Sequence, residues 1–437
     1  MGIQLSRAIL WLKIGLSLIA AYMMNPVLLR LGLPADPRLT LRPGMICLVI
    51  AGFFLSSAFP LSDRLNRMTR SWVLGVLVFS LFLLLRGIVV GNPYVFIAQD
   101  VEMIILLLVG VTAGSSREMW PTIDRFLLTV TLIGSIVMVV SISEMESVAR
   151  DVTYGVPGEF KSLAYQTQYL LWPTAWLILT LPFRRETLTR LVIIGGFVAH
   201  TVLQVLFQKR FPLLKIAAVL MSFVPFKSQL LAGHRFFQRR ELFGIVLFLL
   251  VLTTFFLAFL SNLGLNVGES VDLLVERLTG QSDLVETSST DVRFYTASVV
   301  LENLSAMDFL IGRGFGDYLT DSRLFWAPSH FGSDFVGVTA IEVGQVWPVW
   351  RGGIPFLIML NAGFVMVLFS LKRCLTNPLL MAAWITVSLQ FFSFFVESLL
   401  GAQYLNTFIY GVCIGLVGSI RPLRPEELSG IAEGKVV

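Results

Sequence analysis

Twelve apolar stretches of about membrane-spanning length run through the chain, at roughly 8–29, 44–60, 72–90, 95–113, 126–142, 163–183, 188–206, 212–226, 242–264, 348–371, 378–396 and 399–420. A helix needs about 20 mostly apolar residues to cross a bilayer. Inside hydrocarbon it must satisfy its own backbone polar groups, which leaves only helices and closed barrels as spanning structures. The pattern therefore predicts an all-α polytopic membrane protein with about twelve transmembrane helices. The second and eighth stretches are short, and the sixth opens on polar Tyr165, Gln166 and Gln168.

Composition agrees with this reading. Of 437 residues, 56% are hydrophobic and only 14% are charged, against roughly 25% charged in soluble domains. A soluble enzyme, a disordered chain and a nucleic-acid binder are excluded. The net charge of +5 then reflects basic cytoplasmic loops and not a polyanionic partner. Cys47, Cys374 and Cys413 all lie in or beside apolar runs with no C-x-x-C neighbour, so they read as small hydrophobes. The three histidines are too scattered for a zinc signature.

The N-terminal apolar run follows Arg7 but is interrupted by Lys13, so it is expected to stay as the first span and not to be removed as a signal peptide. With that end inside, the short loops of the inner side hold seventeen Lys and Arg, against seven on the outer side. Both termini are therefore expected in the cytoplasm. The expected organisation is spans one to nine in residues 1–264, an outer cap in 265–347, spans ten to twelve in 348–420 and a cytoplasmic tail in 421–437.

The outer loop 265–347 differs from the other connections. It holds twelve acids and only four arginines (Arg277, Arg293, Arg313, Arg323). Loops this long inside compact proteins are usually functional or disordered. Val271, Leu274, Val275 and Leu278 follow the i, i+3, i+4, i+7 pattern of an amphipathic helix. Ser288 to Asp291 offer N-caps for a second helix reaching about Asn303. Gly312, Gly314 and Gly316 then break the chain, and Trp326, Phe331, Phe335 and Trp347 suggest contact with the membrane interface. An ordered cap is expected. Gly312-Arg-Gly-Phe-Gly316 lacks G-x-x-x-x-G-K-[ST] and follows no strand. It reads as a turn where the backbone passes close to another part of the chain.

A charge at mid-bilayer costs about 2.5–3.5 kcal/mol on insertion scales, so each one needs a reason. Arg86 in the third stretch and Asp100 and Glu102 in the fourth flank the Asn92-Pro93 turn. Arg86 and Asp100 should lie about 9 Å below it at ~1.5 Å per residue. They form either an ion pair that staples the hairpin or the wall of a polar cavity. Lys209, Arg210 and Lys215 open the eighth stretch on the outer side, with Pro212 in the first turn. A helix N-terminus already favours an anion. The cluster either snorkels to lipid phosphates or forms an outward-facing anion site, for which a lipid-linked diphosphate is the obvious ligand. His200 reads as a core residue and His234 as a solvated one. His330 is the sole outer histidine. It is either an idle loop residue or a general base titrating near neutral pH, with Asp334 and Glu342 able to orient it or replace it.

Taken together, these residues resemble the O-antigen polymerase and ligase superfamily over roughly 160–420. Gln208-Lys209-Arg210-Phe-Pro212 is similar to the family's arginine motif. Asp291-Val-Arg293, a helix and then Ile311-Gly312-Arg-Gly314-Phe-Gly316 resemble its arginine-helix-GxG segment. Ser329-His330, Glu342-Val-Gly344 and Arg351-Gly-Gly353 resemble its histidine segment and following span. The sequence departs from the family in having Phe331 after the histidine, where Asn is common, and Lys209 where Ser is common.

The resemblance implies glycosyl transfer on the periplasmic face of a bacterial inner membrane. The donor would be a glycan on undecaprenyl diphosphate, and the acceptor a sugar hydroxyl on another lipid-linked glycan or on lipid A-core. His330, Asp334 and Glu342 would be catalytic, and Lys209, Arg210, Arg293, Lys215 and Arg313 would hold the diphosphate. A polymerase would have a chain-length regulator as its protein partner. No D-x-D lies outside the bilayer, and the first outer loop holds only Asp36 among acids. Metal-independent catalysis without a cofactor is therefore expected. The rival reading from another class is a lipid-glycan flippase or other transporter.

Overall fold

The computed structural model describes residues 7–17, 64–142, 171–206, 216–217, 219–220, 289–320, 343–395, 404–425 and 427. Among them the chain is helical and forms no sheet. One isolated bridge joins Leu65 to Ser419. Residues 7–17 are helical. After them come α1 (Arg67–Val90), α2 (Tyr94–Gly114), α3 (Trp120–Ile142), α4 (Leu171–Thr180), α5 (Thr187–Leu206), α6 (Ser289–Glu302), α7 (Ala306–Ile311), α8 (Val346–Phe369), α9 (Pro378–Ser393) and α10 (Tyr404–Gly418). By length and composition α1, α2 and α8 are able to cross a membrane, and shorter apolar helices accompany them. The described helices fall on the expected stretches with small shifts. The largest is at α3, which begins at Trp120, six residues before its apolar stretch. The second and ninth stretches and Val271–Leu278 lie outside the described residues, as does most of the eighth.

Local chemistry sets the helix ends. Asn66 caps α1 by accepting the Thr69 N–H at 2.9 Å. The helix stops at Gly91 in the left-handed region (φ 86°), with the Gly91 and Asn92 N–H groups donating to Ile88 and Gly87 carbonyls. Pro93 then precedes α2. Further along the chain, α6 reaches Glu302 as the cap residues predict. A further helix, α7, is started by a capping box of Ser305 and Asp308.

The α1–α2 hairpin shows where hydrocarbon meets the protein. In α1 only 17% of the apolar window is buried, against 72% in α2. Leu74, Leu81, Leu85 and Val89 of α1 are all more than half exposed. In water such a face would be a liability; in a bilayer it needs no cover. α1 packs antiparallel to α8. The Phe79 and Phe356 rings stack at 5.4 Å, and Trp72 donates its indole N–H to the Met359 carbonyl at 2.8 Å.

α2 and α10 run parallel at close range. A Cβ on Gly110 would stand 2.3 Å from the Phe408 carbonyl oxygen, and one on Gly114 2.1 Å from that of Val412. From the other side, Gly411 meets Leu107 O at 2.2 Å and Gly415 meets Val111 O at 2.0 Å. This is reciprocal G-x-x-x-G packing, in which absent side chains let two backbones approach.

The short-loop cations collect at one end of the bundle. Arg117 pairs with Glu427 at 2.7 Å, Arg64 with Glu118 at 3.2 Å, and Arg373 donates to the Val417 carbonyl at 3.2 Å. Arg184, fully buried, forms a bidentate pair with Asp124 of α3 at 2.5 and 2.8 Å. The opposite end carries Asn92, the glycine segment 312–316 and the first turns of α8.

Candidate functional site

At that opposite end, the Asp100 carboxylate gathers three separate segments. It accepts the Gly316 backbone N–H at 2.7 Å, the Trp347 indole N–H at 3.1 Å and the Arg351 Nε–H at 2.6 Å. Both ionic side chains are nearly inaccessible, at 1% exposure for Arg351 and 8% for Asp100. The Arg351 guanidinium also lies over the Trp350 ring, 4.0 Å from its centroid. Buried charges persist only when paired and hydrogen-bonded, and this carboxylate is both. Glu102 of the same helix is also wholly buried.

Arg351 reaches Asp100 because α8 is broken. Gly353 takes φ 71°, ψ −174° inside it, and Pro355 follows. Gln345, just before the helix, hydrogen-bonds Asn361 at 3.0 Å, so the first piece folds back along the second. Arg351 sits at the top of this bend.

The glycine segment lies in the space the bend leaves. Arg313 N–H donates to Trp350 O at 3.0 Å, Gly314 N–H to Arg351 O at 2.9 Å, and Phe315 N–H to Leu83 O of α1 at 3.1 Å. Asn92 donates its amide to Phe315 O at 2.8 Å. Gly312, Gly314 and Gly316 all have positive φ (68°, 88°, 77°), and a Cβ on them would meet Arg351 O at 2.1 Å, Gly87 N at 2.7 Å and Ile97 N at 2.6 Å. The segment is the close backbone passage expected from its sequence, and it is wedged between α1, α2 and α8.

Two expectations change here. Asp100 pairs with Arg351 and not with Arg86, because Phe315 and Gly316 fill the ground between the two hairpin helices and present Arg351 instead. Arg86 is half-buried on α1, next to the exposed Phe82, Leu85 and Val89. Trp347, grouped by sequence with interfacial aromatics, is 1% exposed and packs on Phe315 at 6.2 Å and Phe356 at 6.0 Å. Its indole N–H is spent on Asp100, so it has no need of the headgroup region.

Of the sequence-predicted site residues, Arg313 is fully placed. It bonds Asp308 at 3.2 Å, approaches Asp317 at 3.7 Å and donates to the Asn303 carbonyl. Asp317 in turn accepts the Trp350 indole N–H at 2.6 Å. Burial works against the Asp308 carboxylate, but hydrogen bonds from Ser305 and the neighbouring Arg313 outweigh it and hold its pKa below the usual value. Arg293 lies in α6. Lys209, Arg210, Lys215, His330, Asp334 and Glu342 lie outside the described residues. His200 is fully buried in α5, as its core reading requires. Among the described residues no three His, Cys, Asp or Glu groups come together as a metal set.

Three features were not anticipated from sequence: Arg351 as the partner of Asp100, the Arg184–Asp124 pair, and the glycine-faced contact of α2 with α10. The last had a signal, since Gly110/Gly114 and Gly411/Gly415 are both G-x-x-x-G in apolar runs. The Asp100 carboxylate is buried and hydrogen-bonded to three separate segments. It orients segments and does not present a reacting group.

Compared with known proteins, the chain matches no family model, and no curated protein matches it.

Proposed function

We propose that this membrane protein catalyses glycosyl transfer from a glycan on undecaprenyl diphosphate to a sugar hydroxyl at the periplasmic face of a bacterial inner membrane. It would polymerise O-antigen or exopolysaccharide repeat units, with ligation to lipid A-core as the alternative. One observation carries the reading. Gly312–Gly316 and Arg351–Gly353, which stand in separate motifs of the resemblance, pack directly on each other through the Arg313–Trp350 and Gly314–Arg351 backbone hydrogen bonds. The clustering of short-loop cations at the other end supports a cytoplasmic assignment for that end, and so for both termini.

In the proposed reaction, the acceptor hydroxyl oxygen forms a bond to the donor's anomeric carbon as the bond from that carbon to the diphosphate oxygen breaks. The lipid-linked diphosphate leaves, with the electron pair of that bond on its oxygen. The hydroxyl proton passes to His330, with Asp334 or Glu342 orienting the imidazole or replacing it. Lys209, Arg210, Lys215, Arg293 and Arg313 match the leaving charge, a task for which the arginine fork suits phosphate oxygens. No metal is needed in this scheme.

The test is turnover by purified protein given lipid-linked donor and acceptor. Longer glycan and free undecaprenyl diphosphate are expected, with His330→Ala lowering turnover about 10²–10⁴-fold, the usual worth of general-base help. Release of no undecaprenyl diphosphate would overturn the reading. Movement of intact donor across vesicles would favour a flippase, which the broken helix α8 beside a buried charge pair makes the second reading.

A further inference from the structure

We propose that Arg86 is a binding site for a phosphate group carried on a lipid. Asp100, the acid of the adjoining helix that the sequence pairs with Arg86, is taken by Arg351 at 2.6 Å. The last-turn carbonyls that a basic residue near a helix C-terminus commonly binds are also taken. Gly87 O accepts from Asn92 at 3.0 Å and Ile88 O from Gly91 at 3.1 Å. The Arg86 Nε is buried and has no hydrogen-bond partner, and among the described residues no ion pair reaches this guanidinium.

The surroundings choose the ligand. Phe82 and Val89 lie four residues before and three after Arg86, and they are 45% and 85% exposed. These spacings put them on one helix face with Arg86. The half-buried cation therefore borders an apolar stripe near the outer end of α1, about 9 Å below the Asn92-Pro93 turn at ~1.5 Å per residue. A free anion has no polar path along such a face. A phosphate that brings its own acyl or polyprenyl chain does, because the chain lies on Phe82 and Val89 while the oxygens meet the guanidinium. Fork-shaped donors bind phosphate oxygens in pairs. The chemistry is shared by ordinary anionic phospholipids and by a polyprenyl diphosphate, and the site is independent of the reaction proposed above.

Native mass spectrometry of detergent-purified protein with three probes separates these sources: undecaprenyl diphosphate, phosphatidylglycerol and inorganic diphosphate. Arg86→Gln should weaken lipid binding about tenfold or more, as loss of a charged hydrogen-bonding group does. Arg86→Lys should be intermediate, since it keeps the charge and loses the fork. A fall for both lipids identifies a general lipid-phosphate site, and a fall for undecaprenyl diphosphate alone identifies a site for that lipid. Equal lipid affinity in wild type, Arg86→Gln and Arg86→Lys would overturn the proposal. So would Arg86-dependent binding of inorganic diphosphate as tight as that of the lipids. If Arg86→Gln fails to fold, the wild-type against Arg86→Lys comparison decides. Failure here leaves the transfer reaction standing, because turnover is measured separately.

Discussion

Asp100 and Arg351, 251 positions apart, meet at 2.6 Å beneath the glycine segment. Removing one member of a buried ion pair costs about 3–5 kcal/mol, because the other is left uncompensated. Arg351→Met and Asp100→Leu should each destabilise the protein strongly in detergent melting curves. The double variant should be less harmful than the two single losses added together. Strict additivity in this cycle would mean that the pair is not coupled.

Gly314 tests the wedge. An alanine there would put its Cβ 2.7 Å from the Gly87 nitrogen, on backbone at φ 88°. Gly314→Ala should therefore shift the melting midpoint downward by several degrees, while Gly195→Ala, where nothing lies within 4 Å, should not. Equal effects at both positions would show that the segment is not wedged as described.

For the α2–α10 contact, bulk should matter more than polarity. Gly411→Leu and Gly114→Leu should each abolish the folded state in mild detergent, seen as aggregation in size-exclusion chromatography. Monodisperse protein from either variant would contradict backbone approach at this seam.

The capping box of α7 gives a pH dependence. The Asp308 pKa is lowered from its usual value of 3.8. The folded state therefore binds fewer protons than the unfolded one, and the stabilisation is present above about that value and lost as pH falls through the lower folded pKa. Amide exchange over 305–312 should be flat from neutral pH to about pH 5, once corrected for intrinsic rates, and should rise only below about pH 4. Asp308→Asn should remove that acid step and cost about 0.5–1.5 kcal/mol of local stability at neutral pH, the usual worth of one hydrogen bond. A step centred near pH 6 would point to a different group.

The helices were legible in the sequence because apolar runs and their punctuation are local. The Asn92-Pro93 turn separates α1 from α2 as expected, and the expected stretches 72–90 and 95–113 match the helices within one residue except at the start of α1, five residues earlier at Arg67. The charge partner was not, because the rule of proximity chose Arg86 across a short turn, and only the fold-back of α8 at Gly353 brings Arg351 to Asp100. The same break was signalled by Gly352, Gly353 and Pro355 in one apolar run, but such a run also describes a straight span with a tolerated kink. Arg184 read as a loop cation, since nothing local shows that Asp124 would bury it. Of the proposed catalytic and phosphate residues, the described structure fully places Arg313 alone, and that guanidinium is braced by Asp308 and Asp317.

The α2–α10 seam also has a consequence in time. Met103 and Thr407, which touch across it, are 304 residues apart. Ribosomes add about 5–20 residues per second, so roughly 15–60 s separate the synthesis of the two sides. During that interval the glycine face at Gly110 and Gly114 lacks the α10 backbone that it meets in the finished fold. The seam can therefore close only after α10, at the far end of the described chain, has been made.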